Sequence, residues 1–181
     1  MEIILIFLFG LFIGSFLGVL SDRLPKGETI MGRSHCDYCK KTLQWYDLIP
    51  TVSYIWQRGK CRYCHKRLSL EYPGIEILTG IVFVLITKIQ ITRYKQIAMI
   101  QIPNEWIMFV SWLLLLVISS AMIVIFFADV KYRIIPDEML VVMLIIGLFS
   151  NLLNYSVINN FLAASANFLA KIISDTQIQI R

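Results

Sequence analysis

Long uncharged apolar runs, rather than the alternating patterns of a water-soluble domain, dominate this chain. A bilayer core of about 30 Å requires about 20 helical residues to cross it. Four runs reach or approach that length. Ile3 to Leu20 carries no charge, and Ile75 to Ile91 has only Glu76 near its start and Lys88 near its end. Trp106 to Ala128 is an uncharged run of 23, and Met139 to Ile158 an uncharged run of 20. A fifth, Phe161 to Ile173, is too short to span. Composition agrees: 57% of residues are hydrophobic and 16% charged, against about 45–50% and about 25% in soluble domains. The fold class read from these runs is an all-α polytopic membrane protein with about four full spans and a partial fifth.

The first run lacks the features of a cleaved signal. Only Glu2 precedes it, so there is no basic leader, and no small-x-small cleavage site follows. It reads as an uncleaved anchor in which Gly14 and Ser15 suit close helix packing. No internal repeat or low-complexity tract stands out.

Charge sets the expected orientation. Of 17 basic residues, ten lie between Ser21 and Gly74, with five acids among them, so this loop carries the chain's net charge of +5. The positive-inside rule places it in the cytoplasm. Alternate threading then puts the N-terminus and the Arg93 to Glu105 loop outside and returns Asp129 to Glu138 to the cytoplasm. The interleaved acids and the lack of a reading helix argue against nucleic-acid binding, and the positive charge suits anionic headgroups of a lipid bilayer. Three parts follow: a first span over 1–20, a cytoplasmic four-cysteine module over 21–74, and a transmembrane domain over 75–181.

All four cysteines fall in the loop, as Cys36-Asp37-Tyr38-Cys39 and Cys61-Arg62-Tyr63-Cys64. Two such pairs suit a four-thiolate structural zinc site of the zinc-ribbon kind, although the separation of 21 residues is slightly long for one. A module of about 50 residues buries little core, and a metal supplies missing folding free energy. Disulfides or a redox pair are a competing reading that a reducing cytoplasmic location argues against, which leaves reduced, metal-free cysteines as the alternative to a bound ion. His35 and His65 flank the pairs and are expected to face solvent or to lie beside the ligands without binding the ion, because four thiolates complete a tetrahedron. Leu24-Pro25-Lys26-Gly27, Asp47-Leu48-Ile49-Pro50 and Glu71-Tyr72-Pro73-Gly74 read as turns or breaks.

Asp129 follows the 23 uncharged residues directly. A carboxylate there is either a boundary residue reaching water or paired with Lys131 or Arg133, or a functional group. Pro136 can open the next helix, with Asp137 and Glu138 complementing its dipole. Asp175 reads as an exposed residue in a polar tail.

These residues resemble a known family. Gly14-Ser15-Phe16-Leu17, Val19, Arg23-Leu24-Pro25 and Gly27 are similar to the opening of bacterial prepilin peptidases (type 4 prepilin leader peptidases). So are Arg33-Ser34-His35-Cys36 with Cys39, Asp47-Leu48-Ile49-Pro50, and Arg58-Gly59-Lys60-Cys61-Arg62-Tyr63-Cys64. Ser69, Tyr72-Pro73, Glu76 and Thr79-Gly80 continue the match, which resumes at Asp129 and Ile135-Pro136-Asp137. The resemblance implies an aspartic endopeptidase of the Gly-x-Gly-Asp type in the bacterial cytoplasmic membrane, with Asp129 its first catalytic aspartate. It implies prepilin or pilin-like precursors as substrates, cleaved at the cytoplasmic face. Many members also methylate the new N-terminus, which adds S-adenosylmethionine as an implied cofactor. Gly18 stands where the family usually has Asn, and no Gly-x-Gly-Asp occurs in the 181 residues. The chain therefore reads as a truncated member; the alternative is a proteolytically inactive homologue that acts as a membrane binding protein. A membrane disulfide oxidoreductase fits the cysteine pairs but not their basic loop or the Asp129 segment.

Overall fold

The computed structural model describes residues 2–36, 38–98 and 105–150, which are mostly helical with no strand among them. Four helices are α1 (Glu2–Arg23), α2 (Val52–Trp56), α3 (Glu71–Ala98) and α4 (Glu105–Tyr132). The chain divides into two compact units, Met1–Met143 and Leu144–Arg181. Residues 137–143 are helical at the end of the first unit, and 144–150 are the helical described part of the second.

Among the described residues, three helical segments are long and apolar enough to cross a membrane: Glu2–Lys26, Glu71–Thr92 and Met108–Tyr132. They are the first three runs read from the sequence. The fourth run is described only to residue 150, and the fifth, with Asp175, lies outside the described residues.

Lipid gives apolar helices little reason to associate, so close backbone approach must supply the contact energy. Gly10, Gly14 and Gly18 recur every four residues on one face of α1, and α3 packs against it. A methyl group on Gly10 would lie 2.6 Å from the Gly80 Cα, and one on Gly14 2.6 Å from the Glu76 Cα. The two backbones touch where any side chain would separate them. Around this contact Leu17, Leu20, Ile75, Ile123 and Val124 form the buried core, joined by Met139. Buried hydroxyls are satisfied locally: Thr79 Oγ1 donates to Ile75 O at 2.7 Å and Thr87 Oγ1 to Phe83 O at 2.8 Å. Trp112 Nε1 donates to Thr87 Oγ1 at 3.0 Å, fastening α4 to α3.

Three boundaries differ from the sequence reading. Glu71-Tyr72-Pro73-Gly74 opens α3 instead of breaking the chain, because a proline in a first turn gives up an N–H that has no helical partner. The expected Arg93 to Glu105 loop is helical as far as Ala98. The turn expected from Asp129 is confined to 133–136, since α4 runs through Tyr132. Leu24–Lys26 is a turn of 3-10 helix closed by Gly27 in the left-handed region, as its Pro-Lys-Gly sequence suggests.

Candidate metal centre and boundary site

The cysteine module is made of two tight knuckles. In the first, Cys36 N–H donates to Lys41 O at 3.0 Å and Lys40 N–H to Cys36 O at 2.8 Å. In the second, Cys61 N–H donates to Lys66 O and His65 N–H to Cys61 O, both at 2.9 Å. Antiparallel bridges close each one, His35 with Thr42 and Lys60 with Arg67. Lys40 and His65, each following a second cysteine, take left-handed φ values of 55° and 57°. Residues 35–42 and 60–67 are therefore two copies of one motif. The sequence reading found no repeat, because only the cysteines, Tyr38 with Tyr63 and Lys41 with Lys66 coincide in kind.

The knuckles bring all four sulfurs together. The Sγ atoms of Cys36, Cys39, Cys61 and Cys64 lie within 4.8 Å of one another, and Cys36 and Cys64 are 3.9 Å apart. Zn–S bonds of about 2.3 Å in a tetrahedron place sulfurs about 3.8 Å apart, so the set is close enough to hold such an ion with little rearrangement. No pair is disulfide-bonded. The first cysteine of each knuckle is buried, while Cys39 is exposed and Cys64 intermediate. Neither histidine belongs to the cluster.

The thiols are unequal. Burial opposes ionisation of Cys61, but N–H groups of Cys64 and Tyr63 and the thiols of Cys36 and Cys64 outweigh it, bringing Cys61 down to about 7. At Cys64 the Lys66 N–H favours the thiolate, yet burial and the other three thiols prevail and push it up to about 11. One thiolate accepting hydrogen bonds from its neighbours is the arrangement that first meets a soft cation.

Asp47 organises the chain between the knuckles. Its buried carboxylate accepts from Gln44 N–H at 3.2 Å and Gln57 Nε2 at 3.0 Å, and pairs with Arg62 Nε at 3.0 Å. The interposed segment is thereby tied to the second knuckle.

A second cluster lies where three apolar helices end together. Lys131 Nζ contacts Asp22 Oδ1 at 2.9 Å and Glu71 Oε2 at 3.1 Å, while Tyr132 Oη also donates to Asp22 and Lys26 Nζ reaches it at 3.2 Å. One residue from α1, one from α3 and two from α4 meet there. Asp129 is exposed at the end of α4, and among the described residues the carboxylates that Lys131 engages are Asp22 and Glu71. Sequence reasoning missed Asp22, because its partner Lys131 is 109 residues away. Deeper along α3, Glu76 is buried and accepts from Thr51 N–H at 2.5 Å and Thr51 Oγ1 at 2.9 Å. An acid inside an apolar run was the available signal for that contact. A cavity between the helix ends and the module is lined by Gly14, Asp22, Glu28, Asp47, Tyr72 and Glu76, among others.

Comparison with known proteins adds the following. Residues 8–89 match the bacterial peptidase A24 N-terminal domain. A prepilin leader peptidase/N-methyltransferase of Bacillus subtilis (strain 168) is 40% identical over 80 residues, covering 44% of this chain and 32% of that protein. Its counterpart in Myxococcus xanthus (strain DK1622) is 41% identical over 81 residues, covering 44% and 24%. That of Neisseria gonorrhoeae is 29% identical over 170 residues, covering 79% and 53%. The chain thus spans about a quarter to about half the length of these relatives. No solved structure matches it.

Proposed function

Because the chain is related to the bacterial prepilin leader peptidases, we propose that it belongs to a membrane aspartic endopeptidase that removes leader peptides from prepilins or pilin-like precursors. The match over residues 8–89 carries this reading, since it takes in most of α1, both knuckles and most of α3 in order. In the proposed topology the module and the end of α4 face the cytoplasm of a bacterial inner membrane, and about four spans and part of a fifth cross it.

Asp129 is proposed as one of two catalytic carboxylates. Peptide hydrolysis by such a pair needs one carboxylate to take a proton from the attacking water and another, protonated, to give one to the departing amine. The exposed position of Asp129 at the end of an apolar helix leaves it accessible to a substrate arriving along the bilayer surface. Its partner would be an aspartate of the Gly-x-Gly-Asp type.

Cys36, Cys39, Cys61 and Cys64 are proposed to hold a structural zinc ion, which their sulfur spacing fits. The ion closes a module with little core of its own and takes no part in proton transfer. Methylation of the new N-terminus would draw on S-adenosylmethionine, which supplies an activated methyl group.

The test is prepilin cleavage in membranes that hold this chain together with a Gly-x-Gly-Asp segment. Leader removal is expected, and Asp129→Asn should abolish it with membrane insertion unchanged. Undiminished cleavage by Asp129→Asn would remove Asp129 from the mechanism.

A further inference from the structure

The stretch between the knuckles carries an apolar surface out of keeping with a water-facing loop. Trp45 and Leu48, one turn apart in a 3-10 helix, are 76% and 41% exposed. Val52, Ile55 and Trp56 share one face of α2 at 55%, 69% and 83% exposure. Two tryptophans and three aliphatics exposed on two short helical segments that contact each other form the kind of patch that marks an interaction site.

Its depth says what covers it. Glu71, Asp22 and Lys131 form the ionic layer at the helix ends. Glu76 is five residues further along α3, about 7 Å toward the bilayer centre at 1.5 Å per residue. Thr51, the residue before α2, binds Glu76 through both its N–H and its hydroxyl. The start of α2 is therefore held against α3 about one and a half turns inside its first residue, which brings the patch beside the apolar helices.

We propose that the segment from Trp45 to Trp56 is embedded in the lipid interface on the module's side of the membrane. Tryptophan favours that zone because its ring is apolar and its N–H polar. Arg58 and Lys60, both exposed, follow directly and meet anionic headgroups. Both ends of the module enter apolar helices, so reaching the bilayer costs no tethering entropy. This rests on α1, α3 and α4 crossing a bilayer, a premise that the test checks separately.

The full chain is reconstituted in vesicles of phosphatidylcholine and phosphatidylglycerol brominated near the top of their acyl chains. One protein keeps only Trp45 and Trp56 (Trp106→Phe, Trp112→Phe), and another keeps only Trp112. Bromine is expected to quench the Trp45/Trp56 emission strongly, since tryptophan at the interface lies beside the upper acyl chains, while aqueous acrylamide quenches it weakly. Strong acrylamide quenching without bromine quenching would overturn the proposal. Shielding from both would also overturn it, since a protein surface would then cover the patch. Loss of quenching at Trp112 in the control would instead refute the spans. If Trp112→Phe fails to fold, the difference between the intact chain and Trp45→Phe/Trp56→Phe reports the same quantity. Ile55→Asp should raise acrylamide access to Trp56 severalfold; no change there counts against the proposal.

Discussion

Lys41 in the first knuckle holds its ammonium 4.4 Å from the centre of the Tyr63 ring in the second. The relation is reciprocal, for Lys66 lies 4.9 Å from the ring of Tyr38. Each knuckle thus lends its tyrosine face to the other's lysine, and the two copies clasp across the sulfur cluster. The attraction is electrostatic, between a cation and the negative face of the ring. Replacing both tyrosines by leucine keeps apolar bulk and removes that attraction. Zinc in Tyr38→Leu/Tyr63→Leu protein is expected to pass to a chelator severalfold faster than from the parent. Equal transfer rates would show that the metal alone holds the knuckles together.

Zinc itself should be present at about one ion per chain and absent from the Cys36→Ser/Cys61→Ser variant. Those two thiols are the buried ones, so their loss removes the inner half of the site. Because the ion closes a small module, its removal should expose residues 28–70 to protease before the helices unfold. Elemental analysis giving no metal in chelator-free protein would refute the site.

Acidity should shape metal uptake in a defined window. Ligation requires Cys61 as thiolate, and without metal its thiol sits at about 7. At pH 8 it has already lost its proton, whereas at pH 6 the metal must displace it. The plot of log affinity against pH is therefore expected to steepen by about one proton on going below pH 7. Cys64, held up at about 11, is protonated throughout that range and adds no curvature. A constant slope from pH 6 to 8 would contradict the unequal thiols.

The glycine contact can be tested by adding a single methyl group. Gly14→Ala places a carbon against the α3 backbone, which cannot swing aside as a side chain could. A cost of about 1–3 kcal/mol is expected from such overpacking, read as a lower Tm in detergent. Gly74→Ala is the control: nothing lies within 4 Å of its added methyl, so Tm should hold or rise slightly.

The sequence made the first three apolar runs and the four thiols legible because each rests on a local pattern, run length in one case and Cys-x-x-Cys in the other. Gly14 was readable as a packing residue for the same reason. Thr51 with Glu76, and Asp22 with Lys131, were not, since each pair joins distant residues whose meeting depends on how helices stack. The α3 start was misplaced because Pro73 has opposite meanings in a first turn and in a helix interior. Asp129 stood out in the sequence because it follows an uncharged run directly, but only the family resemblance gave it a catalytic role, since a carboxylate exposed at the end of α4 can equally be a boundary residue.

Asp22 and Asp129 should separate by what each one changes. Asp22 accepts from Lys131, Tyr132 and Lys26, so it joins α1 to α4. Asp22→Asn keeps the shape but removes the charge, leaving Glu71 as the carboxylate paired with the ammonium of Lys131. Its Tm is expected to fall, by an amount at the low end for charged contacts because these side chains are partly solvated. Asp129→Asn removes no such contact and should leave Tm unchanged while eliminating cleavage, since a carboxamide cannot take a proton from water. Cleavage by Asp22→Asn, measured below its own Tm, should persist. If Asp22→Asn is the variant that loses cleavage at unchanged Tm, the acid of the reaction lies at the exit of α1, and Asp129 is a boundary residue.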